Sequence, residues 1–409
     1  MITSVSWTSV NLMVRQPKLS QAMLALALGL SACDTLSTEL FGAEAFQIHG
    51  FASQAAISTT GNNFFGKTEG KVDFDFRELG INGSWRMLPN VQLSLQAVAR
   101  WAGETDNGKP RIDYGFIDYS FLSDADNLWG ARAGRMMNPL GLYNDTRDVA
   151  FTRPSILLPQ SIYFDVNRNL AISADGVYLY GERRANIGDF FLQLGAIVPR
   201  VEDPDLKNDL TQGTGGSLDG NLSWFGRLLY EVDGGALRLG ISGGQISGDI
   251  HPDIPILYRK FDFDPLIFSA QYNAERWSLT SEYALRYARL QDSPDPASVP
   301  TFKSLGESYY LQGIYRLAPQ WQILLRYDVL IWNKDDPDGK TFEKKSGIPA
   351  YRRFAKDWTI GTRWDITPNF MLRAEYHNIN GTGWISNLEN QNGSEQYWNL
   401  FAILASYRF

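Results

Sequence analysis

His377 stands where a general base would stand, sharing one face of an alternating stretch with Glu375 and Arg373. A base of that kind, beside a nucleophile and an orienting acid, is hydrolase equipment. No nucleophile lies at a spacing that completes it, and a polar surrounding accommodates a His without catalysis. His49 falls at a strand start and His251 in a loop, where solvation is the expected role. A different chemistry is carried by arginines and carboxylates. Some recur singly along alternating stretches: Arg100, Asp118, Arg132, Arg227, Glu231, Arg238, Glu282, Arg286, Arg326, Asp328, Arg363, Arg373 and Glu375. Others crowd into Met136 to Leu170: Asp145, Arg147, Asp148, Arg153, Asp165 and Arg168, with Tyr163 among them. Fixed charges spread in this way form no covalent bond. Held around a common lumen, they sort diffusing ions.

The elements that hold them are strands. Val91, Leu93, Leu95, Ala97, Ala99 and Trp101 fall on one face, and Gln92, Ser94, Gln96 and Arg100 on the other. Trp277 to Tyr287, Trp321 to Val329 and Phe370 to Tyr376 repeat this period of two, each apolar row opening or closing with an aromatic residue. Polar rows rich in Arg, Glu, Gln and Ser suit a water-filled lumen, and aromatic-ended apolar rows suit a membrane belt. The last strand carries Phe401, Ile403, Ala405, Tyr407 and Phe409 on one side. A chain ending this way is expected to finish an outer-membrane barrel, with Tyr407 and Phe409 as its assembly signal. On the inner faces, Arg326 with Asp328 and Arg373 with Glu375 lie two residues apart and are expected to neutralise each other. The remaining inner charge is mildly positive, which predicts weak anion preference.

Tight connections (86–90, 233–235, 273–276, 317–319 and 366–369) alternate with longer polar ones (103–110, 201–220, 247–260, 291–304, 333–355 and 381–395). That alternation predicts an all-β fold, a transmembrane antiparallel β-barrel of about sixteen strands over residues 46–409 with short periplasmic turns and long external loops. A barrel of that size leaves an aqueous channel rather than a packed core. Net charge −7 argues against nucleic acid, and one Cys with three His supports neither a disulfide framework, a metal centre nor a cofactor.

Residues 1–45 read as an export leader. Arg15 and Lys18 precede the apolar stretch Ala22 to Ala32, and Ala43-Glu44-Ala45 is a small-x-small cleavage site just before strand-like sequence. The start at Met13 is itself a normal charged opening. Leu30-Ser31-Ala32-Cys33 is a competing exit, a lipobox whose Cys would be acylated; cleavage after Ala45 fits the following strand better.

Met136 to Leu170 holds three prolines, no sustained period of two, and many apolar residues among its charges. Such a loop is expected to fold into the lumen and form a constriction; an external lid or a trimer contact is the alternative. The layout resembles that of Gram-negative trimeric porins, whose third loop, after the fifth strand, folds inward. The run Gly134-Arg135-Met136-Met137-Asn138-Pro139-Leu140-Gly141 and the Arg-rich loop after it resemble the phosphate-selective porin O/P family and its relatives. The resemblance implies a homotrimer with one diffusion pore per subunit. That family's phosphate selectivity rests on a dense row of Arg and Lys, which this sequence does not clearly show. Expected partners are the bilayer and lipopolysaccharide, the barrel-assembly machinery, and small hydrophilic solutes or anions. Tyr143, Phe151, Tyr163 and Phe164 also allow a stacking track in a substrate-specific channel for sugars or for aromatic or dicarboxylic acids. An outer-membrane barrel hydrolase built on His377 is the remaining alternative.

Overall fold

Alternation with a period of two yields sixteen long strands, and they close on themselves. The computed structural model describes residues 45–254, 258–293 and 301–409. The expected leader core, Met13 and Cys33 lie outside the described residues.

In chain order the strands are β1 (Phe46–Thr59), β2 (Arg77–Leu88), β3 (Val91–Ala102), β4 (Arg111–Ser123), β5 (Asn127–Met137), β6 (Ser173–Ala185), β7 (Gly188–Pro199) and β8 (Ser223–Val232). The second half comprises β9 (Leu237–Pro252), β10 (Lys260–Asn273), β11 (Trp277–Gln291), β12 (Phe302–Ala318), β13 (Trp321–Ile331), β14 (Phe354–Thr367), β15 (Phe370–Gly381) and β16 (Tyr397–Arg408). Neighbours pair antiparallel, and β1 pairs with β16, Ala52 facing Tyr407 and Ser58 facing Phe401. Closure leaves no unpaired edge, the condition for strands to sit in hydrocarbon. No helix among the described residues is long and apolar enough to cross a membrane.

The barrel is inside out relative to a soluble sandwich. On β3, Leu95 is 47 % exposed while Gln96 is 3 % and Arg100 1 % exposed. Phe401 and Ile403 on β16, Ile360 on β14 and Leu179 on β6 are exposed in the same way. A continuous outer skin of large apolar side chains is stable only against lipid. Aromatic pairs mark the rim of short turns. Trp321 and Trp364 stack at 5.0 Å, and Tyr272 lies 5.3 Å from Trp277. Connections on that rim have two to four residues, such as Pro89–Asn90 and Pro319–Gln320. Register shifts near this rim, at Arg86/Leu88, Ser120/Leu122, Arg316/Ala318 and Asp365/Thr367, re-aim the chain into the turn.

The opposite rim carries the long loops, with two corrections. β9 continues to Pro252, and Gly216–Gly220 pairs with it, so the expected loops 201–220 and 247–260 are partly sheet. Polar residues such as Asp219 and Asp249 had suggested loop, but strand pairing does not require an apolar face.

Candidate functional site

Residues 138–172, joining β5 to β6, supply the element that fills the barrel. Its backbone has few repeating hydrogen bonds of its own, so its N–H and C=O groups need partners elsewhere. Inward side chains of the wall provide them. Glu375 on β15 accepts from Ile156 N–H and, at 3.2 Å, from Leu157 N–H. Arg326 on β13 donates to Ser155 Oγ at 2.9 Å and Leu157 O at 3.0 Å, and Ser161 N–H donates to Asp328 at 3.3 Å. Arg363 on β14 reaches Phe151 O, and Arg373 on β15 reaches Arg153 O. On the far side, Gly141 N–H meets Ser242 of β9, Asp145 pairs with Arg227 of β8 at 2.6 Å, and Tyr163 donates to Glu282 of β11 at 2.5 Å. Arg286 donates to Ser161 O at 3.3 Å. A loop bonded to the inner face of so many strands lies in the lumen, as the sequence led us to expect.

This geometry corrects the expected pairing of near neighbours. Arg326 and Asp328, and Arg373 and Glu375, still act on each other's charge but form no ion pair within 4.0 Å; their hydrogen bonds go to the loop. Guanidinium groups donate to its carbonyls, and carboxylates accept from its amides.

Within the loop the charges form one buried network. Asp165 receives Arg147 at 3.0 Å, Arg168 at 3.0 Å and Arg100 of β3 at 3.4 Å. Burial pushes its carboxyl up, but Arg147, Arg100 and Arg168 outweigh that and hold it well below the usual carboxylate range. Arg168 also pairs with Asp148, whose carboxyl is held low by the same cation against its burial. Arg153 reaches Glu78 of β2 at 2.8 Å, and Glu78 also faces Arg100 at 3.4 Å. Glu78 was absent from the sequence-based set; its partners are 22 and 75 residues away, and no local spacing marks them.

Apolar residues fill the space around this network in two clusters. One joins Leu140, Leu158, Ile162 and Leu170 to wall residues Tyr178, Phe225, Ile246 and Tyr310. The other joins Phe151, Ile156 and Leu157 to Leu400, Ala402 and Leu404 of β16 and to Phe64, Phe65 and Trp384 of external loops. The lumen at this level is therefore partly a packed core, made by the apolar residues that the inward loop carries.

The predicted site residues consequently divide. Arg100, Arg147, Asp148, Arg153, Tyr163, Asp165, Arg168, Glu282, Arg326, Asp328, Arg373 and Glu375 are buried between loop and wall. Asp118, Arg132, Asp145, Arg227, Glu231, Arg238, Arg286 and Arg363 keep partial exposure. Four of these arginines carry a close carboxylate: Arg132 with Asp118 at 2.7 Å, Arg238 with Glu231 at 2.6 Å, Arg363 with Asp365 at 2.8 Å, and Arg227 with Asp145. Arg286 has no carboxylate within 4.0 Å among the described residues.

His377 is buried, with Nδ1 at 2.8 Å from Asp357 and 3.1 Å from Thr359 Oγ1, beneath the loop segment that Glu375 holds. It lies between two carboxylates, Glu375 being 3.4 Å from Nε2. This arrangement seats the ring as part of the loop's foundation. At the chain end, Phe409 and Gly50 exchange backbone hydrogen bonds of 3.0 and 3.2 Å, closing the seam between β16 and β1. The described residues contain no cluster of three or more potential metal-ligating His, Cys, Asp or Glu side chains.

No family model and no curated protein matches the sequence. Solved structures do. The anion-selective porin from Comamonas acidovorans is 13 % identical, with a TM-score of 0.58 over 89 % of this chain and 99 % of that one. The outer-membrane channel DcaP of Acinetobacter baumannii is 12 % identical, with a TM-score of 0.59 over 89 % and 97 %. OmpT of Vibrio cholerae in its trimer form is 11 % identical, with a TM-score of 0.54 over 89 % and 99 %. The chain has the fold of Gram-negative outer-membrane porins: a closed barrel of sixteen strands, apolar outside.

Proposed function

We propose that this chain forms a solute channel through the outer membrane, a homotrimer with one path per subunit and a weak preference for anions. The observation that carries this reading is the loop after the fifth strand, folded into a membrane barrel and gripped from all sides. Such a loop narrows a wide barrel to a constriction whose lining decides what passes. Asp145, Arg147, Asp148, Arg153, Tyr163, Asp165 and Arg168 act here by giving the loop its shape and holding it to the wall. The wall charges do the complementary part, and those with partial exposure face the solute.

Anion preference rests on charge balance. Most exposed wall arginines are neutralised at contact distance, whereas Arg286 is not. A single cation with no carboxylate at contact distance, in a narrow path, gives a mild bias rather than an exclusive filter. One solved structure of the same fold is an anion-selective porin and another is a trimer, and both support the reading. Residues 1–45 serve as the leader removed on export, and Tyr407 and Phe409 serve as the signal read by the assembly machinery. The test is reversal potential in planar bilayers across a salt gradient. A modest anion preference is expected; a clear cation preference, or no conductance, overturns the proposal.

A further inference from the structure

Above the inward loop, facing the external rim, lies a cavity of about 630 Å³. Four loops and the upper ends of β10 to β13 build it. Phe164 of the inward loop meets Phe263 of β10 edge to face at 6.1 Å, and Phe302, Trp332 and Trp384 add further aromatic surface. Four arginines interrupt this lining: Arg286, Arg289, Arg352 and Arg353; the carboxylates are two, Asp209 and Asp262. Asp262 is already engaged, by Arg289 at 3.6 Å and by Ser247 and Gln291.

The other three cations have no carboxylate within 4.0 Å among the described residues, although Asp328 acts on Arg286 and Asp336 on Arg353 from further off. Arg353 lies over Phe342 at 4.5 Å and Trp332 at 5.4 Å, with no hydrogen-bond acceptor among the described residues. Arg352 likewise has neither acceptor nor carboxylate there. Arg286 spends two nitrogens on backbone carbonyls, and its Nε has no partner among the described residues. A guanidinium held among aromatic rings without its anion is a site awaiting one.

We propose that this cavity binds organic carboxylates with an apolar body of one or two rings, as the entry site of the channel. The body lies against the aromatic lining while the carboxylate takes the free N–H groups of Arg353 and Arg352 outside, or of Arg286 beside the constriction. A neutral sugar matches the lining less well, since its hydroxyls cannot offset three cations. The volume falls within the usual range of about 300–1,000 Å³ for small-molecule pockets. Binding at the cavity stands on these contacts alone; its role in passage rests on the channel proposed above.

The test is calorimetric titration of the full-length protein in detergent micelles with benzoate, benzyl alcohol and acetate, against micelle-only blanks. Benzoate is expected to bind at least tenfold more tightly than benzyl alcohol, which lacks the charge, and than acetate, which lacks the ring. Arg353→Gln, in an external loop, is expected to weaken benzoate tenfold without altering the circular dichroism of the barrel, and Arg286→Gln is the second variant. Equal binding of benzoate and benzyl alcohol, or of benzoate and acetate, overturns the proposal. So does undiminished benzoate binding in both variants. Because calorimetry needs no conduction, benzoate binding by a non-conducting protein removes the channel and keeps the site. Conductance without benzoate binding does the reverse.

Discussion

Replacing Glu282 by alanine tests whether one carboxyl group pegs the inward loop to the wall. Glu282 meets Tyr163 Oη at 2.5 Å, Tyr310 Oη at 2.9 Å, Ser269 Oγ at 2.6 Å and Leu142 N–H at 3.0 Å. In Glu282→Ala the Leu142 amide keeps Tyr163 Oη as acceptor at 2.8 Å, so three hydroxyls lose their partner. A buried polar group without a partner costs about 1–3 kcal/mol; the low end applies, because hydroxyls rotate, and three give about 3 kcal/mol. Lifting the loop off the wall admits water to all three hydroxyls, so detachment relieves the whole cost. A relief of about 3 kcal/mol raises the detached population roughly 100-fold. Amide hydrogen exchange of residues 138–172 in micelles reads this directly, with protection falling by about two decades while the strands stay protected. Single-channel conductance should rise in parallel. If exchange in 138–172 is unchanged, the peg is not Glu282 and the reasoning from buried partners fails.

Acid should tighten the cap that external loop 382–396 forms, where Glu389 accepts from Phe65, Gly66 and Glu104 N–H. Burial raises Glu389 to about 7, and it raises Asp205, which accepts from Ser386 Oγ, to about 6. A carboxyl whose folded value is raised binds its proton more readily in the folded state. Its destabilising effect is complete above the folded value and disappears as pH falls toward the unfolded one. Protection factors of residues 382–396, taken against the intrinsic exchange rate at each pH, are therefore expected to rise between about pH 7 and 5; Glu389→Gln should flatten most of that response, and pH-independent wild-type protection would count against it. Gly103→Ala should break the same cap at any pH. Gly103 sits at φ +59°, and an added Cβ would collide with the Glu389 carboxylate that accepts from Phe65, Gly66 and Glu104 N–H. Faster exchange in 382–396 is the readout, and unchanged exchange refutes the collision. Gly50→Val should slow barrel closure, because its side chain would occupy the place of the Phe409 ring at the seam. Refolding into detergent at the wild-type rate would show that the ring yields freely.

The outer half of each strand was legible because its solvent is uniform. Lipid asks the same of every outward position, so Leu93, Leu95, Leu325 and Phe401 declare themselves by spacing alone. The inner half answers to the loop, and the loop differs at every point. Leu400, Ala402 and Leu404 of β16 point inward yet are apolar, because Ile156 and Leu157 cover them. Their strand reads as apolar on both faces, and nothing nearby in sequence says why. The same limit governed the charges. Arg326 beside Asp328 looks like a neutral pair when only spacing is seen, but each is claimed by a loop residue more than 160 positions away. The cavity was the least legible feature, since Phe164, Trp332 and Trp384 come from three separate loops. What recognises a solute in this barrel is thus assembled from contacts without local signature. Exchanging the outward Leu95 for Ile should leave conduction alone, whereas Arg326→Met beneath the loop should alter it, by releasing Ser155 Oγ and Leu157 O and leaving Leu157 held only through its amide by Glu375. Equal conductance of both variants and the wild type, recorded in planar bilayers, would show that the loop holds its place without that guanidinium.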